Sequence, residues 1–189
     1  MENILNEIVI FINSLGVYGG VLSCLIILIE SMIPVIPLMV FITLNFYIFG
    51  TSIGFILSWI FTICGCLLSY SLFKYGFGDK FDYLTKEKDK LNKYKNAIKN
   101  LSLTQLILII AVPFTPAFLV NIVCGLLKID FKKYFIAILI GKISLVYFWG
   151  FVGTSLLDII KQPIILIRVS IILIIMYIIS KVITKIVKI

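Results

Sequence analysis

The chain has 189 residues, of which 61% are hydrophobic, with a mean hydropathy of +1.17 and a formal net charge of +8. Soluble domains carry roughly 45–50% apolar residues, so these figures exclude an ordinary soluble fold and predict an all-α integral membrane protein. The length leaves room for one membrane domain, residues 1–189, and none for a separate soluble enzyme domain.

Residues 3–14 put Ile4, Leu5, Ile8, Phe11 and Ile12 on one helical face and Asn3, Asn6, Glu7 and Asn13 on the other, which predicts an interfacial helix. Its acidic start lacks a small-residue cleavage site and does not read as a cleavable signal. From Gly16 to Gly50 the chain is apolar but interrupted by Glu30, Pro34 and Pro37. Thr51–Phe73 is uninterrupted and long enough to cross about 30 Å of hydrocarbon.

Residues 74–100 carry eight lysines, yet Leu84, Leu91, Tyr94 and Ile98 keep helical spacing, which predicts a second surface helix. Leu103–Leu127 is apolar again and broken by Pro113 and Pro116. It is too short for two spans of about twenty residues each, and proline breaks a helical ladder. A re-entrant hairpin with its tip at the prolines fits that length. Tyr134–Leu157 and Ile164–Val187 read as two further crossings.

The order repeats: surface helix, proline-broken re-entrant hairpin, full transmembrane helix (1–73), then the same again (79–157), then one more helix (163–187). No Lys or Arg precedes Lys74, and fourteen basic residues fall in 74–99, 128–133 and 181–188. If both broken segments are re-entrant, all three basic clusters share one side, and the positive-inside rule makes that side the cytoplasm. The two repeats are then inverted, with the 74–100 loop and the C-terminus cytoplasmic. The competing reading takes Gly16–Ile33 as a full span and Pro34–Gly50 as a short second one, which puts the N-terminus inside.

Glu30 is the one acidic residue well inside an apolar segment. An ionisable group at that depth is costly unless paired or hydrated. It reads either as a proton- or headgroup-binding carboxylate, or as an interfacial tether for the hairpin. Lys142 is the one basic residue deep in a span; it either pairs with Glu30 in a purely structural bridge or binds a lipid phosphate. Asn45 and Asn121 follow the two breaks and suit backbone groups freed by proline as well as they suit substrate; Thr115, at the second tip, is similar. Half-helices beginning at Pro37 and Pro116 would aim positive dipole ends inward. Gly50, Gly65, Gly125 and Gly141 are candidate packing glycines.

Catalysis and cofactors find no support: there is no histidine, no intramembrane carboxylate pair and no nucleotide loop, and Gly76-Phe-Gly78 ends a span. Cys64-Gly-Cys66 is too closely spaced for a usual metal or redox site, so Cys24, Cys64, Cys66 and Cys124 read as small buried hydrophobes. The lysine run 86–99 reads as a face attracted to anionic lipid rather than to nucleic acid, with protein docking as the alternative.

The segment Glu30-Ser-Met-Ile-Pro34-Val-Ile-Pro37 leading to Gly50 resembles the Glu-x3-Pro-x2-Pro stretch of the DedA family, part of the SNARE-associated or VTT-domain superfamily. Gly65-x4-Tyr70, then Lys74-Tyr-Gly76-Phe-Gly78, is similar to its next glycine-rich stretch, and Pro113-Phe-Thr-Pro116-x4-Asn121-x3-Gly125, then Lys128, Phe135 and Gly141-Lys142, to its second signature. The Pro-x-x-Pro-x4-Asn spacing leans toward the Tvp-like bacterial branch. The resemblance implies re-entrant hairpins in inverted repeats and a lipid flippase or scramblase of the bacterial plasma membrane. Its cargo would be a phospholipid or polyprenyl phosphate, with proton coupling in some members. Two departures are Ile110, where the family often has arginine, and Met39, where a second acidic residue is common. Outside the resemblance, a proton-coupled small-solute transporter and a non-transporting scaffold remain open, as does a homo-oligomeric state.

Overall fold

The computed structural model describes residues 18–33, 37–77, 98–114, 117–158 and 164–187. The expected interfacial helix 3–14, most of the 86–99 lysine run, Pro34, Thr115 and Pro116 lie outside those residues. The described residues form helices α1 (Tyr18–Met32), α2 (Leu38–Leu72), α3 (Leu103–Ala111), α4 (Ala117–Leu126), α5 (Phe131–Asp158) and α6 (Ile164–Val187), and no strand. A π-helical turn, Phe73–Phe77, extends α2.

Sequence chemistry sets the boundaries. Pro37, with φ −58° and ψ 119°, stands at the N-cap of α2, where a missing N–H costs nothing. Ser102 and Gln105 form a reciprocal capping box that starts α3: Gln105 N donates to Ser102 Oγ (3.2 Å) and Ser102 N to Gln105 Oε1 (2.8 Å). Asp130 accepts from Lys133 N at 2.9 Å and starts α5 three residues ahead of the expected Tyr134. Ser31, Thr43, Thr62 and Thr154 return their hydroxyls to carbonyls four residues back, which satisfies them inside apolar helices.

α2 is bent back on itself. Gly50 adopts φ 75° and ψ 167°, a region essentially closed to side chains. Beyond it, Ser58 Oγ accepts from Asn45 Nδ2 at 3.0 Å, and a Cβ on Gly54 would fall 2.5 Å from the Asn45 carbonyl oxygen. A straight helix would separate positions 45 and 54 by about 13 Å, so arms 38–49 and 51–72 run antiparallel. Gly50 therefore differs from its expected packing role: nothing lies within 4 Å of its Cβ position, and it serves the reversal instead.

α1 lies antiparallel to the first arm of α2, with Gly20 against Phe49, Cys24 against Asn45 and Ser23 Oγ donating to the Phe41 carbonyl at 3.1 Å. The second arm of α2 runs antiparallel to α5: Tyr70 faces Phe131 and Tyr134, while Trp59 Nε1 donates to the Leu139 carbonyl at 3.1 Å. Gly65 seats that arm on Leu28 and Ser31 of α1, and Gly141 seats α5 on Ile107 and Ile110 of α3. The limbs after the breaks cross over: Phe46 covers Gly150 of α5, and Gly125 of α4 sits on Tyr70, Phe73 and Lys74 at the end of α2.

The largest buried cluster joins these parts around Cys66, Tyr70, Ile110, Cys124, Tyr134 and Ile138. A smaller one unites Ile27, Ile42 and Phe46 with Val146. α6 closes the outside, with Val169 against Phe148 and Val152. Facing outward are apolar stripes at helical spacing: Ile53, Ile56, Ile60, Leu68 and Leu72 on α2, Ile136, Ile140, Ile143, Tyr147 and Phe151 on α5, and Ile167, Ile171, Ile174 and Ile178 on α6. Continuous exposed apolar stripes are untenable in water and ordinary in lipid. The second arm of α2 and Phe131–Leu156 are long and apolar enough to cross a membrane.

Candidate functional site

The chain's interior polarity gathers where the two broken segments meet. Ser31 lies in the last turn of α1, whose carbonyls have no following helical N–H to accept. Asn121, on α4, supplies the donor: its Nδ2 reaches the Ser31 carbonyl at 3.2 Å, ninety residues away in sequence. The other end of the same amide accepts from Tyr134 Oη at 2.8 Å, with the Cys66 carbonyl 3.2 Å from that hydroxyl as a second acceptor. One phenol carries one proton, so these two acceptors share it.

Tyr134 stacks on Tyr70 with ring centroids 4.5 Å apart. Tyr70 Oη donates to the Ile129 carbonyl at 2.5 Å and accepts from Lys74 Nζ at 3.1 Å. Asn121, Tyr134 and Tyr70 are all buried, at 1%, 0% and 1% exposure. A polar line therefore runs from the end of α1 through α4 and α5 to the end of α2. Buried polar groups on this scale persist only when satisfied.

Lys142 is buried at 2% exposure, beside the Gly141 that seats α5 on α3. Glu30, half-buried on α1, is its electrostatic neighbour. The two deep charges expected from sequence are thus brought into each other's field. Asn45 is fully buried and bonded to Ser58 and Cys24, away from Asn121. Its Oδ1 and the Ser69 hydroxyl are the two buried side-chain polar atoms without a partner among the described residues.

Ser69 lines an apolar cleft of about 200 Å³ together with Leu72, with Met32 and Ile33 of the first broken segment, and with Phe118 and Ile122 of the second. Ile33 and Leu72 are exposed, so the cleft opens along the apolar flank. Met32 and Ile33 directly precede Pro34, and Phe118 follows Pro116 by two residues. Pro113 is buried and Pro37 exposed. Among the described residues no cluster of His, Cys, Asp or Glu is fit to hold a metal. Cys24, Cys66 and Cys124 are buried free thiols, whereas Cys64 is exposed on the apolar face of α2, contrary to its expected burial.

Ser31, Ser69 and Tyr134 were not singled out by sequence reasoning. A phenol inside an apolar span is the one usable signal, because its hydroxyl needs a partner there. The turn Leu127–Asp130 separates Asn121 from Tyr134 and hides their proximity from any helical periodicity.

The VTT domain family matches residues 36–155, from just before Pro37 through most of α5. The chain is similar to the uncharacterized membrane protein YhjE of Bacillus subtilis (strain 168), 30% identical over 147 residues, covering 78% of this chain and 71% of that protein. It is also similar to the uncharacterized protein YqeD of the same organism, 27% identical over 128 residues, covering 68% of this chain and 62% of that protein. No solved structure matches. With its lipid-facing apolar stripes, its paired proline breaks and this match, the chain belongs to the DedA, or VTT-domain, superfamily of membrane proteins.

Proposed function

We propose that the protein moves a phosphate-bearing lipid between the leaflets of a bacterial plasma membrane, as a flippase or scramblase and not as an enzyme. The observation that carries this reading is the junction of the two breaks: α1 and α4 joined through Asn121 and Ser31, beside a cleft open along an apolar flank. Lipid tails fit such an opening, because they stay in hydrocarbon while the headgroup enters. A closed pocket at the bilayer midplane would favour a small solute instead.

An inverted-repeat architecture underlies the proposal. Leu28, Ser31, Pro34 and Pro37 stand seventy-nine residues before Ile107, Ile110, Pro113 and Pro116. Gly65 meets Leu28 and Ser31, as Gly141 meets Ile107 and Ile110. Phe46 meets Gly150, and Gly125 meets Lys74, so both the within-half and the cross-half contacts recur. The second arm of α2 and α5 are antiparallel, as inversion requires. α3, of nine residues, and α4, of ten, rise about 14 and 15 Å, roughly half the hydrocarbon thickness, which supports a re-entrant hairpin.

In this mechanism Glu30 and Lys142 supply the charge that a headgroup meets between the tips. Asn121 and Asn45 hold the limbs, with Thr115 and the four prolines at the tips. Proton coupling would act through Glu30. The test is reconstitution of the purified chain in liposomes carrying a fluorescent phospholipid or polyprenyl phosphate, read by quenching of the outer leaflet. Exchange well above that of empty liposomes, lost in Glu30→Gln, is expected. No exchange in a competent assay, with uptake of a soluble solute instead, would favour the solute transporter. Neither activity would leave the scaffold.

A further inference from the structure

Ser69 stands apart from the other buried hydroxyls among the described residues. Ser31 and Thr62 donate to the carbonyl four residues back, Ser23 donates to the Phe41 carbonyl, and Ser58 accepts from Asn45. Ser69, on the second arm of α2, is 1% exposed, and its Oγ has no partner among the described residues. Burying a hydroxyl unpaired costs free energy that a hydrogen bond returns.

That hydroxyl belongs to the wall of the cleft of about 200 Å³ between the broken segments. The side chains around it, Met32, Ile33, Leu72, Phe118 and Ile122, are all apolar. Ile33 and Leu72 are exposed at the mouth, whereas the buried Ser69 lies at the floor. No lining side chain is charged, so a phosphate finds nothing here to hold it. An apolar channel with a single hydroxyl donor suits a hydrocarbon chain that carries a neutral acceptor.

Depth selects the acceptor. Ser69 precedes Tyr75 by six residues, a rise of about 9 Å along a helix. Tyr75 is 79% exposed at the end of α2, where such a side chain marks the headgroup level of a bilayer. The polar layer is about 5–7 Å deep on each side, so Ser69 lies where headgroup gives way to chain. In a glycerophospholipid the ester carbonyls occupy that boundary; an isoprenoid lipid has no carbonyl to offer there. We propose, resting on the reading of this cleft as the opening for lipid, that Ser69 Oγ donates to an ester carbonyl of a glycerophospholipid whose acyl chain lies in the cleft. Ser69 then selects ester-linked lipid over ether-linked or polyprenyl lipid.

The experiment titrates the full chain, purified in detergent, with diacyl phosphatidylglycerol or its dialkyl ether analogue and follows the unfolding temperature. The two lipids share headgroup and chain length, so every contact except that to the carbonyl cancels. The diacyl lipid should reach half its effect at about three- to tenfold lower concentration, the range of one net hydrogen bond. Ser69→Ala should abolish that preference and leave the weaker binding of both lipids. Without lipid, Ser69→Ala should unfold at or above the temperature of the unsubstituted chain, because its hydroxyl has no partner to lose; this separates loss of the contact from loss of the fold. Ile122→Trp, which fills the cleft, should weaken both lipids. Equal half-effects of the two lipids, or an ester preference that survives in Ser69→Ala, overturn the proposal. Leaflet exchange of the same two lipids in liposomes separates this from transport. Equal exchange of both, unchanged in Ser69→Ala, keeps lipid movement and overturns the role of Ser69. An ester preference in binding that Ser69→Ala removes, without any exchange, overturns lipid movement and supports the contact.

Discussion

Asn121 donates to the Ser31 carbonyl at 3.2 Å, and this single amide ties the end of one broken helical segment to the start of the other. The same side chain accepts from Tyr134 at 2.8 Å, so three helices depend on it. Asn121→Leu should therefore destabilise the protein by about 1–3 kcal/mol, the cost of leaving a buried partner unsatisfied. Tyr134→Phe should cost less, because Nδ2 of Asn121 still reaches Ser31. The double variant should fall short of the sum of the two by about 0.5 kcal/mol or more. Thermal unfolding of the four proteins in one detergent checks this; strict additivity would mean that the two side chains act independently.

Gly50 makes a sharper backbone prediction. With φ 75° and ψ 167° and nothing within 4 Å, any cost of a side chain there is conformational and not steric. Gly50→Ala should cost about 1–3 kcal/mol. Gly50→Asn should do no better, since asparagine eases the left-handed helical region but not a ψ this extended. Gly65→Ala has a different cause, the Leu28 backbone, and should cost more because a carbonyl cannot swing aside as a side chain can. Rescue of Gly50 by asparagine, measured by the same unfolding assay, would contradict the reversal described for α2.

These two sites show what the sequence could and could not convey. Pro37 and Pro113 marked helix breaks because proline acts on its own backbone, and the chain does break there. Ile164–Val187 coincides with α6 because its long apolar stretch holds no proline or glycine to offer a competing boundary. Gly50 reads as a packing residue in the sequence, since the letter glycine is silent about φ, whereas in the structure it serves the reversal of α2. The Tyr134–Asn121–Ser31 line was invisible because it crosses a chain reversal and a ninety-residue separation. Glu30 and Lys142 each stand out in the sequence because charge deep in an apolar segment is scarce.

The field between Glu30 and Lys142 sets up a stability–function contrast. Lys142 is almost wholly buried, so Glu30→Gln leaves a buried cation without its opposing charge. That variant should be both less stable and slower in lipid exchange by about tenfold or more, a barrier change of about 1.4 kcal/mol. Adding Lys142→Met should restore much of the stability while leaving exchange low. Unfolding temperature and leaflet-exchange rate, taken on the same samples, separate the effects. If the double neutral variant exchanges lipid at the original rate, the pair is a structural bridge and the headgroup is handled elsewhere.

Side of entry is the last consequence, and cysteine labelling reads it directly. Cys24, Cys66 and Cys124 are buried, and Cys64 faces outward from an apolar stripe of α2, so a charged maleimide should label none of the four in intact membranes. A cysteine introduced between residues 2 and 14 should then react from outside the cell, and one at Lys99 or Lys188 only after the cytoplasmic face is opened. In the proposed inverted repeat α1 would enter from the side opposite to α3, while the basic segments would share one side under the positive-inside rule. Labelling of residues 2–14 from the cytoplasm alone would require Gly16–Ile33 to cross fully, and the inverted repeat would fall with it. The proposed lipid exchange would survive that result, because the Asn121–Ser31 junction does not depend on which face the N-terminus occupies.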